Sequence, residues 1–118
     1  MRKVTALNNY LRMYRKRGGF TQKELAFLLG CTHRSKTSRY ELGVRLPTLE
    51  TVIGLEVILG ARLAQLFAGT YTKVREKIRS RAQELSREFD AKPTTEATKQ
   101  KLNALEVVIH PEKVRDAA

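Results

Sequence analysis

The hydrophobic pattern changes character inside residues 21–43, and the rest of the chain is arranged around that change. Leu25, Leu28 and Leu29 define one apolar face of a predicted helix over residues 22–29, with Ala26 small where a second helix must cross closely. The next element, over residues 33–42, carries His33, Arg34, Ser35, Lys36, Thr37, Ser38 and Arg39. Only Tyr40, with Thr37 as a second candidate, can face inward. A core-facing helix is thus joined by Gly30-Cys31-Thr32 to a helix that offers hydrogen-bond donors to something outside.

Further apolar stripes flank this pair. Val4, Leu7, Leu11 and Tyr14 recur at three and four residues and predict a helix over residues 5–17, stopped by Gly18-Gly19. Arg12, Arg15, Lys16 and Arg17 crowd its C-terminal end, where cations complement the helix dipole. Thr21-Gln22-Lys23-Glu24 reads as a capping box, with Phe20 placed to staple onto Leu25. Thr32 is the expected N-cap of the donor-rich helix, and Gly43 its end. Thr48 caps a helix over residues 49–59 whose apolar residues cover most of its circumference, as expected of a central core helix. A short helix over residues 62–67 turns Leu63, Leu66 and Phe67 inward.

Gly69-Thr70 marks a predicted boundary. Beyond it, Tyr71, Val74, Ile78, Ala82, Leu85 and Phe89 form a heptad-like seam on a long helix over residues 71–89. Residues 91–95 break that helix, and a last one is expected over residues 95–107, followed by a polar tail. The chain is therefore read as all-α, with a five-helix domain at residues 1–69 and a helical C-terminal extension at 70–118. An apolar seam of this kind needs a cover: another helix of the chain, the same helix of a second copy, or a protein partner.

Charge sharpens the picture. The net formal charge is +11, of which +8 falls in residues 1–70 and +3 in residues 71–118. An excess of cations concentrated on the donor-bearing part favours a polyanion, nucleic acid before an anionic membrane surface. A helix pair with one core-facing and one donor-rich member is the helix-turn-helix arrangement that places a recognition helix in the DNA major groove. The single cysteine excludes an intrachain disulfide and fits a reducing cytoplasm. For Cys31, packing is favoured over redox chemistry. No run of about 18 apolar residues spans a membrane, and the N-terminus has no apolar signal region. Two isolated histidines, one cysteine and no paired acids in a motif offer no triad, metal site or phosphate loop, so no enzyme, cofactor or metal is expected.

The motifs LRMYRKRGGFTQKELAFLLG, SRYELGVRLPTLETV and LGARLAQLF resemble the Cro/repressor type of helix-turn-helix, the lambda-repressor-like domain of the xenobiotic-response-element (XRE) family. The resemblance covers residues 7–67. It implies five helices, sequence-specific binding of double-stranded DNA, a homodimer on a two-fold operator, and control of transcription. It further implies that Gln22 touches the DNA backbone and braces the recognition helix. Arg15 and Glu41 match a pair that ties the first helix to the end of the third, and Arg39 matches a DNA-contacting position. Two departures stand out: one additional residue between Gly30 and Ser38, and Thr37 where Val or Ile is common. The additional residue leaves open which of His33, Arg34, Ser35 and Lys36 points at bases.

On this reading the base-edge candidates are Arg34, Ser35, Lys36 and Arg39. The backbone candidates are Thr21, Gln22, Lys23, His33 and Arg45. Arg39 and Lys36 have bland alternatives as an ion-pair member and a solvated charge, His33 as an incidental surface group. The seam residues Tyr71, Val74, Ile78, Leu85 and Phe89 are assigned to a dimer or partner contact. The rival reading is an antitoxin-like protein that binds DNA and masks a protein partner through its C-terminal helices. A coactivator-like bridging protein would use the same fold with sequence-indifferent DNA binding.

Overall fold

The computed structural model describes residues 9–112. The described residues form seven helices and no strand: α1 Leu11–Arg17, α2 Gln22–Leu28, α3 Ser35–Leu42, α4 Leu49–Leu59, α5 Leu63–Leu66, α6 Ala68–Asp90 and α7 Glu96–Ile109. The chain divides into two compact units, Met1–Thr72 and Lys73–Ala118.

In the first unit, each helix contributes its apolar stripe to one core. Leu11, Leu25, Tyr40, Leu55, Ala61, Leu66 and Phe67 are buried together, with Tyr14, Leu29, Ile58 and Leu59 packed against them. Each buried leucine is worth about 1.5–3 kcal/mol relative to exposure. Close approach of α2 and α4 depends on Gly54: a Cβ there would lie 2.9 Å from Leu29 Cδ2.

Several expectations are corrected here. The first helix begins at Leu11; Val4 and Leu7 lie outside the described residues. Its start is set by tertiary bonds that precede it. The Tyr10 amide donates to the Leu66 carbonyl at 2.9 Å. The Asn9 side chain accepts from the Leu11 amide at 2.7 Å and donates to the Tyr40 carbonyl at 2.5 Å. Leu28, expected inward, is 49% exposed. With successive side chains about 100° apart, the face centred on Leu25, Ala26 and Leu29 leaves Leu28 at its edge. Helix α4 has the expected ends, capped by Thr48 Oγ1 accepting from the Thr51 amide at 3.3 Å, but it is not enclosed. Leu55 is buried, whereas Leu49 is 75% and Val57 77% exposed, with Ile53 also exposed between them. One flank of α4 packs on the core and the other meets solvent. Helix α5 is one turn, shorter than expected.

In the second unit, Thr95 Oγ1 caps α7 by accepting from the Thr98 amide at 3.1 Å. Ala82 is buried, and Phe89, Leu102, Leu105 and Ile109 are half-buried. The Lys101 ammonium lies 5.3 Å from the centre of the Phe89 ring. Helix α6 begins at Ala68, three residues before the expected start at Tyr71, and so includes Gly69 and Thr70.

Candidate nucleic-acid interface

The turn between α2 and α3 is made by backbone geometry. Gly30 adopts φ 81°, a left-handed conformation that costs a residue with a Cβ about 1–2 kcal/mol. The Cys31 amide then reaches back to the Ala26 carbonyl at 2.8 Å. Residues 31–34 are occupied by the turn, so α3 begins at Ser35 and not at His33. Thr32 does not cap it; the N-cap position is Arg34, with no side-chain cap bond.

This placement sorts the donors of α3. Thr37, Tyr40 and Glu41 are buried on one side. Ser35 and Arg39, four residues apart, lie on the opposite, exposed side. Arg34 and Ser38 line the flank toward α1, and Lys36 is exposed on the other flank. His33 is exposed and precedes the helix.

A buried ionic cluster holds α3 against α1 and α2. Arg15 is 7% and Glu41 6% exposed. The Arg15 Nε donates to Glu41 Oε2, and its Nη2 donates to Oε1 at 3.2 Å. The remaining arm, Nη1, donates to the Phe20 carbonyl at 2.8 Å. Glu41 Oε1 also accepts from Gln22 Nε2 at 3.0 Å. Gln22 is the first residue of α2, following Thr21, whose Oγ1 accepts from the Glu24 amide at 3.0 Å while Glu24 Oε1 accepts from the Thr21 amide at 2.9 Å. One carboxylate thus ties the end of α3 to α1 through Arg15 and to the first side chain of α2 through Gln22. The donor-bearing face is held rigid from behind.

Two short helices, a tight left-handed turn between them and a solvent-facing cationic second helix are now in place. The sequence model of the family described as helix-turn-helix domain matches residues 6–67, just over half of the chain. The chain belongs to that helix-turn-helix family. The match is consistent with an XRE-type DNA-binding domain. No curated protein and no solved structure matches the chain.

Within the helix-turn-helix domain, a groove of about 1300 Å³ runs between α1, the start of α2 and α3. Thr21, Gln22, Lys23 and Arg34 line it. Arg45 is exposed in the loop that follows Gly43, outside that groove. Gly43 adopts φ 75°, and the Val44 amide bonds back to the Arg39 carbonyl at 3.1 Å, turning the chain out of α3. Among the described residues, none of Lys23, Arg34, Lys36, Arg39 and Arg45 meets a carboxylate. Their charges are therefore available to a ligand. Ser38, not among the residues expected from sequence, also lines the groove; its place one helical turn after Arg34 is the signal that points to it.

Of the seam residues, Tyr71, Val74, Ile78 and Leu85 are exposed and Phe89 is half-buried. No helix among the described residues is long and apolar enough to cross a membrane.

Proposed function

We propose that this protein is a transcriptional repressor that binds double-stranded DNA sequence-specifically, as a homodimer, with α3 in the major groove. The observation that carries the reading is the exposed cationic face of α3, free of acidic partners among the described residues and fixed behind by Arg15, Glu41 and Gln22. A duplex brought against that face meets Arg34, Ser35, Lys36 and Arg39 at the base edges. Thr21, Gln22, Lys23, His33 and Arg45 take the phosphates. The Gln22 amide has two N–H groups, and Glu41 uses one; the other is left for a phosphate oxygen. Phosphate contacts supply affinity and salt dependence, and base contacts supply sequence preference.

Comparing selected operator with random duplex separates the roles. Arg34→Ala should relax sequence preference, since a bidentate arginine–guanine contact is worth roughly 1–3 kcal/mol of discrimination. Lys23→Ala should weaken both duplexes alike. Equal losses on both duplexes for Arg34→Ala would remove it from the base-reading set. In a dimer on a palindromic operator the two α3 helices sit about 34 Å apart.

Exposure of Val74 and Ile78 supports a contact through the C-terminal helices. We assign it to a second copy. The same face would serve an antitoxin-like role toward another protein, and sedimentation of the isolated chain separates the two: a stable dimer supports the first, a monomer the second.

A further inference from the structure

The four cations of α1, Arg12, Arg15, Lys16 and Arg17, look equivalent in the sequence, and the structure separates them. Arg15 is consumed by Glu41 and the Phe20 carbonyl. Arg17 turns to its own helix, its guanidinium 5.2 Å from the Tyr14 ring centre and 3.8 Å from Met13 Sδ. Arg12 and Lys16, one helical turn apart, are exposed and line the same groove as Gln22, Lys23 and Arg34. Neither meets a carboxylate among the described residues.

The helix dipole does not account for both. Arg12 lies outside the last turn of α1, where a cation complements the terminal carbonyls. Arg12, Lys16 and Lys23 instead border one groove that is also lined by Arg34, the N-cap position of α3, and by Ser38 of α3. Several unpaired cations gathered around one open cleft raise the local potential for a polyanion.

We infer that α1 is part of the DNA interface: Arg12 and Lys16 hold the sugar-phosphate backbone of the strand that runs beside α3, extending the phosphate contacts beyond the helix pair. This rests on the DNA-binding reading above and enlarges its footprint. The two residues contribute affinity without sequence preference, and they fix the tilt of α3 in the groove by gripping the backbone on one side of it.

Salt titration tests it. Each lost phosphate contact lowers the slope of log K against log salt by about 0.9, so the ratio of Kd at about 200 mM to Kd at about 50 mM salt shrinks roughly 3.5-fold per contact. The probe is a short random-sequence duplex, bound by the full chain and its Arg12→Gln, Lys16→Gln, Arg17→Gln and Lys23→Ala variants. Far-UV circular dichroism checks each fold; all three substituted arginine and lysine positions of α1 are exposed. Arg12→Gln and Lys16→Gln should each reduce the ratio about 3.5-fold, and together roughly 12-fold. Arg17→Gln, with the same loss of charge, should leave it unchanged. A ratio unmoved by Arg12→Gln and Lys16→Gln, while Lys23→Ala reduces it, overturns the inference and leaves the DNA-binding reading intact. An equal reduction from Arg17→Gln overturns it too, because bulk charge then explains the effect. Absence of salt-dependent duplex binding by the parent chain overturns both.

Discussion

Replacing Glu41 with alanine removes the acceptor shared by Arg15 and Gln22. Arg15 would keep its bond to the Phe20 carbonyl and otherwise sit in the interior as an uncompensated charge. Breaking a buried pair in this way costs about 3–5 kcal/mol. At about 0.05–0.15 kcal/mol per residue, the roughly 64 described residues of the first unit carry only about 3–10 kcal/mol of stability. The single substitution therefore takes from a third to all of it. With about 4–8 °C per kcal/mol for a domain of this size, the melting temperature should fall by roughly 12–40 °C. Thermal and urea unfolding followed by far-UV circular dichroism measure this directly. The double variant Arg15→Met with Glu41→Leu is the informative partner. Exchange of a buried ion pair for apolar side chains of similar volume is neutral or stabilising by about 1–4 kcal/mol, so that chain should fold as well as the parent. It should nevertheless bind DNA less tightly, because Gln22 has lost its anchor at the start of α2. A Glu41→Ala penalty below about 1 kcal/mol, or a double variant as unstable as the single one, would refute the reasoning.

Thr37 is fully buried and its Oγ1 has no hydrogen-bond partner. Thr37→Val should raise stability by about 1–3 kcal/mol, the cost of a buried unpaired polar group; a lower melting temperature would show that the hydroxyl is satisfied in solution. Gly43→Ala should cost about 1–2 kcal/mol because φ 75° places a Cβ against the following carbonyl, and an unchanged urea midpoint would refute that. Ile78→Asp with Leu85→Asp should convert a sedimenting dimer to a monomer with its helix content intact; a dimer that survives both changes does not use this face of α6.

Legibility in the sequence followed the range of the interactions. The caps at Thr21, Thr48 and Thr95 are local, each joining residues three apart, and were readable from spacing alone, Thr95 only as a helix start. Helix α4 shows the opposite case. Its residues are apolar almost all round, so periodicity carries no information about which side is covered. The exposure of Leu49, Ile53 and Val57 is decided by which neighbours the fold supplies. Sequence alone places the start of α3 two residues early, because Thr32 has the chemistry of a cap while the turn after Gly30 takes the chain past it. Ser38 was overshadowed by the cations around it, although its spacing from Arg34 placed it on the same flank. The cations of α1 are the sharpest instance. Arg12, Arg15, Lys16 and Arg17 differ in sequence by only a few positions, yet Arg15 is claimed by a carboxylate 26 residues away and Arg17 by an aromatic ring on its own helix. Which charge is structural and which faces a ligand depends on what each side chain meets across the core, and that is settled by packing between helices rather than by any feature within one of them.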